Sequence, residues 1–249
     1  MRLGRFCFSV SLFVGVLALA STAGIGYAAV IGNWDQSARS WNNAHMTKVR
    51  AAMSGAGHRV DTDGTISASL QGSSIFLIGE PKSTPTSVEL GLLRQFALRG
   101  GMILVFGDTG IDLPTYNNLL AGIGSTIAFT TTTIGTTSAL PDGQFTQGPW
   151  TIAGSSLSVT SGNGTAGGTP IDSNYVRYEK LGLGYVVVFG DRIDHDDVIS
   201  DTNTKLLLNL VNVGVGFVAQ IPAVAFIGLV LVSLLLAGIG ARHLARRRR

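Results

Sequence analysis

Two kinds of apolar pattern alternate along the chain and predict strands and helices in turn. Short runs, several of them continuously apolar, predict strands at residues 28–32, 58–60, 74–79, 102–106, 125–130 and 184–189. Apolar positions near helical spacing predict helices at residues 40–54, 87–99, 115–121 and 204–213. Glycines separate many of these segments. Strands that alternate with helices in this way indicate an α/β fold with a doubly wound, flavodoxin-like, mostly parallel sheet.

Residues 130–170 depart from that alternation. They are dense in Thr, Ser and Gly and carry few charges. This composition is typical of an edge hairpin or a long surface excursion rather than of a βα unit in the core. We therefore expect one α/β domain at residues 29–218 that carries a β-rich or loop insertion at 130–170.

The N-terminus has the layout of a secretory signal peptide. A basic start leads into an almost continuous apolar run at residues 6–20, and small residues follow that run. Cleavage after Ala28 gives a signal peptide of residues 1–28, while cleavage after Ala23 and an uncleaved N-terminal anchor are the alternatives. On this basis the α/β domain is expected to be exported.

The C-terminus predicts a transmembrane helix. Nineteen uncharged, mostly apolar residues at 223–241 follow Gln220. At about 1.5 Å per residue they cover about 28 Å of a hydrocarbon core about 30 Å thick. Five arginines lie beyond this run, and the positive-inside rule keeps such a tail in the cytoplasm. We therefore expect a sorting motif and transmembrane helix at 219–241, a cytoplasmic tail at 242–249 and an inner-membrane location, with a buried globular helix as the alternative.

The same C-terminal residues resemble a known sorting signal. Ile221 and Pro222, the apolar span, and the arginines at the very end (Arg246, Arg247, Arg248 and Arg249) follow one another in the order of a PEP-CTERM-type tail. The resemblance implies an exosortase-like processing enzyme that cuts near Ile221 and Pro222 and passes the domain to the cell surface or extracellular matrix. The alternative is a permanent anchor that holds the domain in a membrane complex.

The distribution of charge excludes one class of function. The formal net charge is +3, but all fifteen acidic residues and only eleven of the eighteen basic residues lie within the expected domain. The domain by itself therefore has a net charge of −4 and no basic stripe, which argues against nucleic-acid binding. The only cysteine is Cys7, inside the expected signal peptide, so disulfides and thiol catalysis are excluded from the mature domain.

The order of segments in the domain resembles a second family. The runs AGHRV at 56–60, IFLIG at 75–79, GGMILVFGD at 100–108 and GYVVVFGD at 184–191 follow the pattern of the class I glutamine-amidotransferase-like superfamily, in its non-catalytic, sugar-associated and trafficking-associated branches. The resemblance implies a nucleophilic cysteine after the strand at 102–106. That position holds Asp108, so the hydrolytic mechanism of the family is not expected and no cofactor is implied.

Polar residues follow several of the predicted strands. Ligands of doubly wound sheets bind beyond the carboxyl ends of the strands. Outward from those ends the chain places Asn33 and Asp35, then Glu80, then Asp108, and finally Asp191 and Asp194. We take Asn33, Asp35, Asp191 and Asp194 as ligand-binding candidates. The alternative is that aspartates stabilise turns and cap helices at these places.

Hydrolysis remains an alternative to binding. Asp108 or Glu80 serves as nucleophile or base in that hypothesis, with His195 as the activating partner. Asp108-Thr109-Gly110 also matches the aspartic-protease triplet, but that enzyme needs two such aspartates on an all-β scaffold, which the helix at 87–99 contradicts.

Four acids within residues 191–197 form the densest charge cluster of the chain. Hard carboxylate oxygens suit Ca²⁺, and Asp194, Asp196 and Asp197 are the candidate ligands. A solvated loop that binds no metal is the alternative. The sequence thus favours a non-catalytic domain that binds an extracellular polysaccharide or a partner protein, with an extracellular hydrolase as the second hypothesis.

Overall fold

The structure, a computed structural model, describes residues 28–172 and 174–216. Its main sheet has seven strands in the order β2-β1-β3-β4-β9-β8-β7. The strands of this sheet are β1 (Val30–Trp34), β2 (Arg59–Gly64), β3 (Ile75–Gly79), β4 (Met102–Phe106), β7 (Thr169–Pro170), β8 (Val176–Leu181) and β9 (Gly184–Phe189). Strands β1 to β4 and β9 run parallel, and β8 and β7 continue the sheet in antiparallel pairs. Two further strands, β5 (Ala128–Ile134) and β6 (Gly162–Ala166), form a separate antiparallel pair.

Helices cover both faces of the main sheet. They are α1 (Thr47–Gly55), α2 (Ile66–Ser69), α3 (Ser87–Leu98), α4 (Leu113–Ile123) and α5 (201–216), and a 3-10 turn at Ala44–Met46 precedes α1. A capping box formed by Thr86 and Glu89 starts α3. Helix α4 ends at Gly124, whose left-handed φ of 88° suits glycine at a helix C-terminus.

The core lies on both sides of three central strands. Every residue of β3, β4 and β9 is buried, because side chains alternate between the two faces and each face is covered by helices. Ile75 and Leu77 point into the layer that contains α1 and α5, while Phe76 and Ile78 point into the layer that contains α3 and α4. Continuous apolar runs are therefore what these strands require.

The predicted α/β fold with a mostly parallel sheet agrees with the structure, but several element boundaries differ. The first helix begins at Thr47 rather than at residue 40, because the segment before it folds back over the sheet and buries Trp41. Strand β8 was missed, since only its first residue, Val176, is fully buried. Residues 130–170 are also packed more closely against the domain than a surface excursion would be, because Phe145 and Ile152 lie in the same core as helix α5.

The predicted transmembrane helix is not borne out. Within residues 28–172 and 174–216, no helix is both long and apolar enough to cross a bilayer. The structure therefore corrects the predicted fold class to its α/β part and gives no support to the transmembrane helix or to the inner-membrane location that rested on it. The assigned span (219–241) lies outside the described residues, as do the sorting residues Ile221 and Pro222, the terminal arginines, and the expected signal peptide up to residue 27.

Candidate functional site

One arginine joins the two candidate catalytic carboxylates. The Nε atom of Arg39 lies 2.6 Å from Oε2 of Glu80, and its Nη2 atom lies 2.9 Å from Oδ2 of Asp108. Glu80 follows β3 and Asp108 follows β4, so neighbouring parallel strands deliver both acids to the carboxyl edge of the sheet. Arg39 reaches them from the segment between β1 and α1.

The backbone at the end of β3 is shaped to bring this segment close. A Cβ atom at Gly79 would collide with the backbone carbonyl oxygen of Arg39, so only glycine permits the approach. The next residue, Glu80, has φ of 50° and is the only non-glycine residue with positive φ in the described part of the chain. Such a conformation costs on the order of 1–3 kcal/mol and persists where the surroundings enforce it, often at functional sites.

The loop after β9 is anchored by two buried aspartates. Asp191 accepts hydrogen bonds from the backbone and hydroxyl of Thr160, and Asp194 accepts one from Nε1 of Trp41 at 2.6 Å. Burial raises the pKa of both carboxyls, that of Asp194 to about 6. The second oxygen of Asp194, Oδ1, is buried without a hydrogen-bond partner. Both side chains are buried and hold the loop in place through these hydrogen bonds.

An open cleft of about 340 Å³ lies between this loop and the segment before α1. Its polar lining consists of Arg39, Asn43, His45, Glu80, Arg192, His195 and Asp197. The imidazole rings of His45 and His195 stack with their centroids 5.3 Å apart. Burial, followed by the positive charge of Arg192, lowers the pKa of His195, so this imidazole is neutral at pH 7. Its Nδ1 atom accepts a hydrogen bond from the backbone N–H of Asp197.

The candidate calcium ligands do not converge. Asp194 is buried against Trp41, whereas Asp197 is exposed. Asp196 accepts hydrogen bonds from the backbone N–H groups of Thr47 and Lys48 and from the hydroxyl of Thr47, which caps the N-terminus of α1. Within residues 28–172 and 174–216, no group of three or more His, Cys, Asp or Glu side chains could hold a metal ion. The geometry thus gives the Ca²⁺ hypothesis no support.

Replacing Asp196 by alanine is expected to lower the free energy of unfolding by about 1 kcal/mol, because α1 loses the acceptor at its N-terminus. Urea denaturation of the full chain measures the change. Asp197→Ala is the matched control next to it and is expected to stay within about 0.5 kcal/mol of the wild type. Equal losses in the two variants would contradict the role of Asp196 as a cap.

The first two ligand-binding candidates lie outside the lining of the cleft. Asn33 is fully buried, where it accepts a hydrogen bond from the backbone of Trp41 and donates one to the carbonyl of Asp61. It therefore joins β1, β2 and the segment before α1. Asp35 is half-buried, and Gln36 donates a hydrogen bond to its carboxylate.

Sequence reasoning missed the basic part of the site. Arg39, His45 and Arg192 all line the cleft, but the search for strand-end acids passed over them. Arg192 lies inside the acidic run after β9. A basic residue among four acids was therefore the one feature of the sequence that could have indicated its role. Asn163 also contributes to the edge of the sheet where the site lies. It begins the glycosylation sequon Asn163-Gly164-Thr165, but its side chain is buried and donates a hydrogen bond to the carbonyl of Asp108.

Comparisons with known proteins find similarity to solved structures at the level of the fold. No protein-family model matches the sequence, and no curated protein matches it. The structure is similar to the mmIFT52 N-terminal domain over 74% of this chain and 97% of that chain, with a TM-score of 0.56 and 14% identity. It is also similar to the beta-galactosidase from Bacillus circulans sp. alkalophilus, over 74% of this chain and 30% of that chain, with a TM-score of 0.50 and 12% identity.

At these identities the similarity shows the fold alone. Neither protein is described as a glutamine amidotransferase or as a sorted surface protein. The two family resemblances of the sequence therefore receive no support from these structures, and the processing enzyme that the first of them implied stays a prediction.

Proposed function

We propose that the α/β domain is a non-catalytic binding module and that its cleft takes a carbohydrate. The observation that carries this proposal is the double ion pair of Arg39 with Glu80 and Asp108. Carboxylates held by an arginine are fixed in place as hydrogen-bond acceptors, which suits the recognition of hydroxyl groups. Their charge is already compensated, which does not suit a nucleophile or a base.

The lining of the cleft supports a hydroxyl-rich ligand. Arginine and histidine side chains supply N–H donors, and Glu80 and Asp197 supply acceptors, within one open cleft. A sugar hydroxyl is both a donor and an acceptor, so alternating groups of this kind can bind neighbouring hydroxyls. The volume of about 340 Å³ lies at the lower end of the range of about 300–1,000 Å³ for small-molecule sites, which fits a short saccharide.

The contacts of Asp108 and His195 weigh against the hydrolase hypothesis. Asp108 binds Arg39 through one oxygen and the backbone N–H of Thr109 through the other, at 2.7 Å. The Nδ1 atom of His195 accepts a hydrogen bond from the backbone N–H of Asp197, and among the described residues His195 makes no hydrogen bond with Asp108 or Glu80. A catalytic pair requires the base and the nucleophile within hydrogen-bond reach of each other, and these residues have other partners.

Binding of a panel of oligosaccharides to the full chain, measured by isothermal titration calorimetry, tests the proposal. His45→Ala removes an exposed ring of the cleft and is expected to weaken binding about tenfold, equivalent to about 1.4 kcal/mol. Arg59→Ala, at an exposed ion pair on the edge strand β2, is the control and is expected to leave affinity unchanged.

Incubation of the bound saccharides with the protein separates binding from hydrolysis. We expect no release of reducing ends. Release that Glu80→Gln abolishes would establish the hydrolase instead, and equal affinity of the His45→Ala variant and the wild type would place binding outside the cleft.

A further inference from the structure

We infer that the saccharide taken by this cleft is acidic and that Arg192 binds its carboxylate. The inference rests on the proposed carbohydrate-binding function and specifies the class of ligand. It follows from a difference between the two arginines of the cleft.

The side chain of Arg192 makes no hydrogen bond with any of the described residues. Its backbone N–H donates to Asp191, but its Nε atom has no hydrogen-bond partner and lies 3.7 Å from Oδ2 of Asp108, beyond hydrogen-bond distance. The same Asp108 oxygen already accepts from Arg39 at 2.9 Å. Arg192 therefore brings a positive charge to the cleft that Asp108, its only ion-pair partner among the described residues, compensates only in part.

Arg39 differs from Arg192 in this respect. Two of its nitrogens bind two different carboxylates, at 2.6 and 2.9 Å, so its capacity for bidentate binding is used within the protein. Both side chains are about a quarter exposed, 23% for Arg39 and 28% for Arg192. The third guanidinium nitrogen of Arg39, Nη1, has no hydrogen-bond partner but is buried away from the cleft surface. The two terminal nitrogens of Arg192 donate to none of the described residues and are not among the buried atoms without a partner, so they stay available to a ligand.

A carboxylate is the sugar substituent that matches such a group. The guanidinium donates two parallel hydrogen bonds to a carboxylate, and these charge-assisted bonds are about twice as strong as neutral ones. A neutral hydroxymethyl group at the same place would remove water from Arg192 without returning a charge-assisted bond, which costs affinity. The ring hydroxyls of the ligand remain for Glu80 and Asp197, which line the same cleft.

The test compares an oligouronate with its carboxyl-reduced counterpart of the same linkage, by isothermal titration calorimetry on the full chain. The two ligands share every ring hydroxyl and differ only where a carboxylate is replaced by a hydroxymethyl group. We expect the oligouronate to bind at least tenfold more tightly to the wild type. This arm needs no variant and so does not depend on how a mutation affects folding.

Two variants assign the preference to Arg192. Arg192→Gln is expected to remove the difference between the two ligands, and Arg192→Lys to retain only part of it. Lys205→Gln, which removes the same charge from an exposed pair on α5, is expected to retain it fully. An equal loss in Lys205→Gln would show a general effect of net charge and overturn the assignment.

The remaining outcomes separate this inference from the proposed function. Equal affinity for the two ligands overturns the inference while carbohydrate binding stands. Binding of neither ligand, nor of any other saccharide, overturns both. If malonate binds as tightly as the oligouronate, the inference is overturned too, because the sugar then contributes nothing to the affinity.

Discussion

Replacing Arg39 by alanine is expected to lower the free energy of unfolding by about 2–4 kcal/mol and to abolish ligand binding. Removal of one partner from a buried ion pair typically costs about 3–5 kcal/mol, and the partial exposure of Glu80 reduces that figure. The variant leaves two carboxylates, Glu80 and Asp108, close together without the guanidinium that binds both. Urea denaturation at neutral pH measures the loss of stability, and calorimetry measures the loss of binding.

Matched variants separate the role of Arg39 from the general loss of a charge. Arg39→Lys keeps the charge but cannot bind two carboxylates in a fixed geometry, so we expect an intermediate stability. Arg59→Ala breaks an exposed pair with Asp61 and is expected to cost less than about 1 kcal/mol. If Arg39→Ala is no less stable than Arg59→Ala, Arg39 does not hold the two carboxylates together.

The contribution of Asp194 to the stability of the protein is expected to fall as the pH rises from about 4 to about 6. The Asp194 carboxyl has an ordinary pKa of 3.8, which burial raises to about 6 in the folded protein. Between these values the folded state binds more protons than the unfolded state, so the free energy of unfolding decreases with rising pH. A difference of about two pKa units corresponds to about 3 kcal/mol in the free energy of unfolding. This contribution is fully lost once the pH lies above the pKa of the folded state. Chemical denaturation at a series of pH values measures this slope.

Asp194→Asn is the control for that slope. An uncharged side chain at the site removes the contribution of Asp194, so the stability of the variant is expected to vary less between pH 4 and 6. Asp191, whose pKa is also raised, leaves a contribution of the same sign. His58 and His195, whose pKa values burial lowers, contribute a slope of the opposite sign as the pH approaches 6.5. Trp41→Phe removes a hydrogen bond that lowers the pKa of Asp194, so the fall is expected to extend to higher pH. An identical slope in Asp194→Asn would contradict the raised pKa.

Much of the sheet follows directly from local sequence. The strands β3, β4 and β9 were predicted within a residue or so of their bounds because strands buried on both faces need continuous apolar runs. Strand β8 escaped prediction because only its first residue is fully buried, and its own Arg177, Glu179 and Lys180 interrupt the apolar pattern. The helix α2, only four residues long, is too short to produce a recognisable period.

The candidate site could be predicted only in part. That Glu80, Asp108 and the loop after β9 lie at one edge follows from the direction of parallel strands. Which of these groups face a ligand depends on contacts between distant residues, such as Trp41 with Asp194, 153 positions apart. A contact of this kind leaves no periodic pattern in the sequence. The sequence therefore does not distinguish the buried aspartates that anchor a loop from the residues that line the cleft.

The sequence by itself determined an α/β domain with a mostly parallel sheet and acids gathered at the carboxyl ends of its strands, because the apolar period and the glycine breaks are local properties of the chain. Only the tertiary structure decided what each acid does. Asp191 and Asp194 anchor a loop, Asp196 caps a helix, and Arg39 holds Glu80 and Asp108. These roles depend on burial and on partners brought together by folding, and the same carboxylate has a different chemistry in each environment.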